Sequence, residues 1–165
     1  MSYDLHAFRV PPGFTVEEWY ENEERELATE LRPPTEVERA AMERLAADVL
    51  ALDPTAERHD FPTHIEITNA DAVQVSIFHE DAAVSVPYWH DGEHALEVMF
   101  RMQEYAQILT EAGLSVYDPQ TGDASGPADG AAYASGVEAT RRIAERIEAD
   151  PPPPPKRRRW PFGRS

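Results

Sequence analysis

Residues 72–89 read AVQVSIFHEDAAVSVPYW, two alternating runs of mostly β-branched and polar residues joined by a short polar break. Alternation places successive side chains on opposite faces of a strand. Pairing the two runs around residues 79–81 therefore predicts an antiparallel hairpin with one aliphatic side. The aliphatic side carries Val73, Val75, Ile77, Val84, Val86 and Tyr88, and the opposite side carries Gln74, Ser76, Phe78, Ser85, Pro87 and Trp89.

Further short alternating runs and helical stripes surround this hairpin. Two helices are expected after capping-box spacings, in which a Thr is followed three residues later by a Glu: Thr15 with Glu18, and Thr35 with Glu38. Additional strands are predicted at 3–8, 65–68 and 114–117, and helices at about 16–31, 36–52, 93–112 and 131–149.

Each predicted helix should turn an apolar stripe toward the sheet. The expected stripes are Trp19, Tyr20, Leu27 and Leu31; then Val37, Ala41, Leu45, Val49 and Leu52; then Ala95, Val98, Met99, Met102, Tyr105, Ala106 and Leu109, widened by Leu96, Phe100 and Ile108; and finally Tyr133, Val137, Thr140, Ala144 and Ile147.

The order of elements predicts an α+β fold. An antiparallel sheet of about five strands packed against helices on one face satisfies the pattern as a two-layer domain over residues 1–150. Five consecutive prolines, 151–155, then favour an extended polyproline spacer. The basic stretch that follows is too short to fold alone, so residues 151–165 are expected to be a disordered tail.

Charge is the most unusual global property. Residues 1–150 contain all 31 Asp and Glu together with ten Arg and no Lys, a formal charge of −21, whereas the last fifteen residues carry five basic ones. An acidic body repels nucleic acid and anionic lipid and attracts a basic partner. The alternative is that the acidity only keeps the protein soluble.

The composition indicates a cytoplasmic protein. The chain has no cysteine, which excludes disulfides and zinc–thiolate sites. The first residues show neither a basic stretch nor an apolar core typical of a secretory signal, and no apolar run is long enough to suggest a membrane span.

The stretch His90-Asp91-Gly92-Glu93-His94 is the closest approach to a metal site, with His90, Asp91 and His94 as the candidate ligands. Imidazole and carboxylate suit zinc, iron or manganese. The alternative is a helix-entry loop with exposed histidines, in which Asp91 is the helix cap.

A second candidate group gathers acid–base residues at strand ends, where two carboxylates and a histidine could exchange protons. No phosphate-binding glycine loop, nucleophile elbow or dinucleotide fingerprint is present, and no cofactor is predicted. The members of the acid–base group are Asp4, His6, Asp118 and Gln120, with His64 as a further possibility.

The polar side of the central hairpin is a candidate binding surface, because exposed aromatic residues often anchor protein interfaces. The alternative is that another helix covers this side. The binding residues predicted here are Gln74, Ser76, Phe78, Ser85, Trp89 and His90.

The tail residues Lys156, Arg157, Arg158, Arg159 and Trp160 admit several roles. They could touch nucleic acid or an anionic membrane surface, fold back on the acidic helices of the same chain, or present the prolines to an aromatic groove. The alternative is a solubilising end with no partner.

The initial MSYDL, the central hairpin and the late VYDPQTG resemble small uncharacterised α+β proteins of high-GC bacteria, which share a first YDL strand and a late DPQ-G turn. Some proteins of that kind accompany secreted toxins as immunity proteins. The resemblance covers about residues 1–125 and implies no catalytic residue.

Together these observations predict a non-enzymatic acidic binding module that engages a basic protein partner in an immunity-like way. The alternatives are a small metal-dependent or acid–base hydrolase that uses the region of His90, Asp91 and His94, and an adaptor localised by its basic polyproline tail.

Overall fold

The computed structural model describes residues 1–22, 32–122, 124 and 130–149, with side chains to residue 146. Within these residues the chain forms six strands and four helices. In chain order they are β1 (Ser2–Phe8), α1 (Val16–Tyr20), α2 (Glu36–Leu52), β2 (Glu57–Asp60), β3 (Ile65–Thr68), β4 (Gln74–Ile77), β5 (Asp81–Pro87), α3 (Gly92–Glu111), β6 (Ser115–Tyr117) and α4 (Gly130–Ala149).

The six strands form one antiparallel sheet in the order β2-β3-β4-β5-β1-β6, and the α+β fold class is confirmed. The central hairpin pairs as predicted, with Val75 opposite Val84 and Ile77 opposite Ala82. The sheet, expected to have about five strands, has six among the described residues. The additional strand, β2, has the sequence ERHD, which offers no apolar alternation to reveal it.

Over β1, β3, β4 and β5, one face of the sheet is withdrawn from water. Val75, Val84 and Val86 each have 0% exposure, as the aliphatic side of the hairpin predicted. Alternate residues of β1 and β3 join them in a single core with α2, α3 and the beginning of α4. The helical side of this core comprises Met42, Leu45, Ala46, Val49, Val98, Met99, Met102, Tyr105, Ala106, Leu109 and Tyr133.

Helix α2 is rotated relative to its expected stripe. Its buried residues recur at positions i, i+3, i+4 and i+7 from Met42, whereas Val37 is 79% exposed. Val37 stands five residues before Met42 and therefore lies roughly 140° round the helix from it. The prediction that Val37 belongs to the core is wrong for this geometric reason, and Ala41, about 100° round the helix from Met42, is exposed as well.

Helix α3 is the main cover of the sheet, as expected, but its buried face is narrower. Leu96 and Phe100 are 66% and 61% exposed, because each stands two residues from a buried position, Val98 and Met102, on a helix that turns about 100° per residue. The extension of the buried face to Leu96 and Phe100 is corrected. In α4, Ala144 is exposed, so the prediction that it belongs to the buried stripe is wrong. The side chain of Ile147, the last residue of that predicted stripe, lies outside the described residues.

Both capping boxes form. The Thr15 hydroxyl accepts from the backbone N–H of Glu18 at 3.2 Å, and the Glu18 carboxylate accepts from the backbone N–H of Thr15 at 2.8 Å. Thr35 and Glu38 repeat the arrangement at the start of α2. Residues 23–31, where the first helix was expected to continue with Leu27 and Leu31, lie outside the described residues. Trp19 is half-buried, with its ring centroid 5.2 Å from that of Phe14.

Helix α4 reaches the sheet through a close approach to Tyr88. A Cβ atom at Gly136 would lie only 2.0–2.5 Å from atoms of the Tyr88 ring. The Tyr3 ring packs edge-on against Tyr88 and Tyr133 at centroid distances of 6.4 and 6.1 Å. Gly136 is therefore the residue that lets the helix seat on this aromatic cluster.

Among the described helices, none combines the length and the apolar character that crossing a membrane requires.

Candidate functional site

The sheet face opposite the core carries a polar grid, called here the open face. The strand register sets Thr68 beside Gln74, Gln74 beside Ser85, and Ser85 beside Asp4. Residues directly opposite in antiparallel strands share a face, so these side chains form one row. A neighbouring row contains His59, Glu66, Ser76, Ala83 and His6, and Glu57 extends the first row.

The residues of these rows are in partial or full contact with solvent, in contrast to the buried positions between them. The Gln74 side-chain amide donates to the Ser76 hydroxyl at 3.1 Å, which orients both groups along β4. The structure thus brings Gln74, Ser76 and Ser85 together as predicted for the polar side of the hairpin. Their role in binding stays a prediction.

The charge of the open face is one-sided. Its two rows contain three carboxylates, Asp4, Glu57 and Glu66, and no Arg or Lys. Arg58 of β2 points to the helical side, where it meets Glu43 of α2 at 2.7 Å. The rows also carry the imidazoles of His6 and His59, and His59 Nε2 lies 3.9 Å from a Glu57 carboxylate oxygen.

A third row at one end of the open face is aromatic. The rings of Phe61 and His64 stack at 4.5 Å with an interplanar angle of 7°, and His64 stacks on Phe78 at 5.0 Å. His64 Nε2 also lies 3.1 Å from a Glu66 carboxylate oxygen. Phe61 is 40% exposed, so this stack presents an apolar surface beside the acidic rows.

Helix α1 covers the other end of the face. Tyr20 lies 4.4 Å from the Tyr117 ring, 5.4 Å from His6 and 6.1 Å from Phe8, measured between centroids. The rest of the face, over β2 to β5, has no helix against it in the described part of the chain. Among the described residues, the alternative of a helix covering this face is met at the β1–β6 end.

Trp89 does not extend the Gln74–Ser85 row. The strand ends at Pro87, and the Trp89 indole lies 6.1 Å from His90, with its Nε1 3.0 Å from His90 Nε2. Trp89 is 67% exposed, whereas His90 is 9% exposed. His90 lies next to Trp89 and close to α4. The backbone N–H of His90 donates to the hydroxyl of Tyr133 in α4 at 3.2 Å.

Both histidines of the predicted metal site hold the β3–β4 turn. His90 Nε2 lies 2.8 Å from the Asp71 carbonyl oxygen, and His94 Nε2 lies 3.0 Å from the Asp71 carboxylate. His94 Nδ1 lies 3.3 Å from Glu97. Hydrogen bonding to Glu97, with the charge of Asp71 added, raises the pKa of His94 above its ordinary value of 6.5.

The turn that they hold has a strained residue, Ala72, with φ of 57°. Asn69 supports it from within, since its side-chain oxygen accepts from the Asp71 amide at 3.0 Å and the Val73 amide at 2.9 Å. Left-handed backbone at a residue other than Gly costs about 1–3 kcal/mol and persists only when its surroundings impose it. The two histidines and Asn69 supply those surroundings.

The rings of His90 and His94 lie 5.0 Å apart between centroids, but the three predicted ligands His90, Asp91 and His94 do not form a group with ligand atoms close enough for a metal ion. Asp91 occupies the cap position of α3 without making a side-chain cap hydrogen bond, and its carboxylate extends to Arg141 at 3.5 Å. Asp91 is thus the N-cap residue of α3, as the alternative expected, although its side chain makes no cap hydrogen bond.

Elsewhere in the described residues, ligand atoms lie close enough for a metal ion at one group, formed by Glu38, His79 and Glu80. Glu38 is already engaged there. Its carboxylate accepts from the Thr35 amide at 2.7 Å and from Arg32 at 2.7 and 2.9 Å. This geometry favours a helix-capping role for Glu38.

The acid–base group is brought together only in part. Asp118 is fully buried. Its carboxylate accepts from the Tyr3 hydroxyl, and also from the backbone N–H of Gln120 at 2.9 Å. When the Gln120 side-chain amide is turned so that both neighbours are satisfied, its nitrogen donates to Asp118 at 2.9 Å and to the Asp4 carbonyl at 2.8 Å. His6 lies instead beside Tyr20, and His64 lies in the aromatic stack. The arrangement fixes the turn after β6 to the start of β1.

The sequence prediction of the open face omitted Glu57, His59 and Glu66. Glu66 alternates with Ile65 and Ile67, so its outward position could have been inferred from the same period-two pattern. Glu57 and His59 belong to β2, which has no apolar alternation, and only the register with β3 reveals their place. The tail residues Lys156 to Trp160 lie outside the described residues.

Comparison of the chain with protein-family models, with curated proteins and with solved structures finds no match.

Proposed function

We propose that this chain is a non-enzymatic, cytoplasmic binding module that engages a basic protein partner through its open face, in an immunity-like way. The observation that carries the proposal is the pairing of three carboxylates with the absence of Arg and Lys on the described rows of that face. Complementary charge steers encounter and sets the register of partners more than it adds affinity.

The aromatic stack gives such a partner an apolar anchor. Interfaces obtain most of their binding energy from a few aromatic or Arg contacts that lose water on binding. Phe61, His64 and Phe78 are already stacked, so a partner side chain placed on Phe61 would bury apolar surface at little cost in side-chain entropy. A partner with an Arg or Lys cluster next to an apolar residue fits both features.

The formal charge of −21 over residues 1–150 supports the same class of partner. Long-range attraction raises the encounter rate with a basic protein, and salt screens it. Binding that depends on this attraction must weaken steeply between low and moderate salt.

The test is affinity capture with the full chain at 50 and 300 mM salt. The variant Ser76→Arg/Ser85→Arg places two cations on the open face. The matched control Ala47→Arg/Ala51→Arg makes the same charge change at exposed positions of α2. We expect a basic protein to be captured at low salt, to be lost at 300 mM, to be lost by the open-face variant, and to be retained by the control.

Retention of the partner by the open-face variant, loss by both variants alike, or capture that is insensitive to salt contradicts the proposal. Melting temperatures of both variants show that loss of capture does not result from unfolding. Failure to retain any basic protein at 50 mM salt also counts against it.

A further inference from the structure

Helix α3 exposes an apolar pair on the side that faces away from the sheet. Leu96 and Phe100 stand four residues apart and therefore lie next to each other on the helix surface. They are 66% and 61% exposed and line a shallow depression of about 580 Å³. This depression, called here the α3 depression, is completed by Asp71, Glu97, Arg101 and Glu104.

Acidic groups surround the apolar pair. Three carboxylates, those of Asp71, Glu97 and Glu104, line the α3 depression beside one guanidinium. Arg101 is paired with Glu104 at 3.1 Å, and His94 lies 3.0 Å from Asp71 and 3.3 Å from Glu97. The three carboxylates outnumber these two partners, so the charge of the depression is negative even when His94 is protonated. A ligand that fits it must combine aromatic or aliphatic surface with positive charge.

One segment of the same chain has this composition. Residues 156–162 read KRRRWPF, four cations followed by two aromatic side chains separated by a proline. The described helices and strands hold no comparable basic stretch, since residues 1–150 contain no Lys and only ten Arg. The segment is therefore complementary to the α3 depression in both charge and apolar character.

The linker is long enough to connect them. Arg141 of α4 lies 3.5 Å from Asp91 at the start of α3. From that contact, Ala149 lies roughly 12 Å along α4, and Phe100 roughly 14 Å along α3, at 1.5 Å per residue. Five prolines span about 16 Å as a polyproline helix, and the next five residues reach about 16 Å further when extended.

We propose that residues 156–162 bind in cis to the α3 depression, with Trp160 and Phe162 against Leu96 and Phe100. The basic residues Lys156 to Arg159 then lie near Glu97 and the other carboxylates. Exposed ion pairs contribute at most about 1 kcal/mol each, so the aromatic contacts provide the main anchor. This contact is separate from the open face and does not depend on its partner.

The test uses a nitroxide at Gly163→Cys in the full chain, which has no native cysteine to compete for the label. Amide signals of residues 96–104 are compared between the oxidised and the reduced label by nuclear magnetic resonance. We expect at least a twofold loss of intensity at these amides. The additional changes Trp160→Ser and Phe162→Ser should abolish it.

Two further variants separate the apolar anchor from charge alone. Phe100→Ser removes the exposed ring from the α3 depression and should relieve most of the intensity loss. Val37→Ser removes an exposed apolar side chain from α2 and should leave it unchanged. A loss of intensity that survives Phe100→Ser, or that spreads equally over the acidic residues of α1, contradicts the proposal.

A mixture of isotope-labelled chain without the nitroxide and unlabelled chain with it tests for a second copy. Contact in cis predicts no loss of intensity at residues 96–104 in this mixture. An equal loss there identifies the occupant as another molecule and overturns the proposal. If the chain that carries both the isotope and the nitroxide shows unchanged intensities at residues 96–104, the proposal is overturned as well.

Discussion

On the covered face of the sheet Val75 and Val84 are withdrawn from water, whereas their chain neighbours Ser76 and Ser85 on the open face remain in contact with it. The backbone hydrogen bonds of the two faces are the same, so the difference lies in the side chains alone. Burial of apolar surface contributes roughly 25 cal/mol per Å². Stability should therefore be concentrated on one face, and substitutions on the other face should cost little.

The largest expected effect comes from removing apolar volume on the covered face. Ile67 is 1% exposed at the centre of β3, and Ile67→Ala should lower the free energy of unfolding by about 2–5 kcal/mol through lost burial and the cavity left behind. The neighbouring change Thr68→Ala, on the open face, should stay within about 0.5 kcal/mol. Urea unfolding followed by circular dichroism measures both, and equal losses would abolish the distinction between the faces.

An intermediate effect tests how α4 seats on the covered face. Gly→Ala inside a helix ordinarily stabilises by up to about 1 kcal/mol. At Gly136 the added Cβ meets the Tyr88 ring, so Gly136→Ala should instead destabilise by about 1–3 kcal/mol. Gly130→Ala is the control, because no heavy atom lies within 4 Å of its added Cβ. A melting temperature of Gly136→Ala higher than that of the wild type would show that α4 does not approach Tyr88 closely.

The smallest expected effect on stability comes from His94 of α3, which contacts Asp71 in the β3–β4 turn. Because the pKa of His94 is raised in the folded state, its contribution to stability is complete below about pH 6.5. That contribution is lost as the pH rises through the higher folded pKa. The urea midpoint of the wild type should therefore fall over this window, and His94→Gln should flatten the fall. Val37→Ser, which removes an exposed side chain that does not titrate, serves as the control and should keep the shape of the wild-type profile.

The sequence predicted the covered face well because alternation is a local signal. The central hairpin, β3 and β6 each carry enough apolar residues to show a period of two, and the helices were located by their capping boxes and stripes. The phase of α2 could not be predicted in the same way. Ala41, Met42, Leu45 and Ala46 offer two overlapping stripes, and only contact with the sheet selects the one that contains Met42.

The open face was predicted only where it belongs to the hairpin. Its acidic rows depend on pairings between strands distant in sequence, such as β1 with β5, and on a strand with no apolar residues. The position of Trp89 depends on where β5 ends, which alternation alone does not reveal. The same limit applies to Asp91, whose carboxylate is drawn to Arg141 fifty residues away.

Strand β2 forms one border of the sheet, and its four residues, Glu57 to Asp60, are all polar or charged. Unpaired backbone groups at such a border invite strand addition from another chain, and charged side chains discourage it. A partner of the kind proposed above would therefore contact side chains on the sheet face instead of adding a strand to this edge. The same border should protect the protein from growing into fibrils at high concentration.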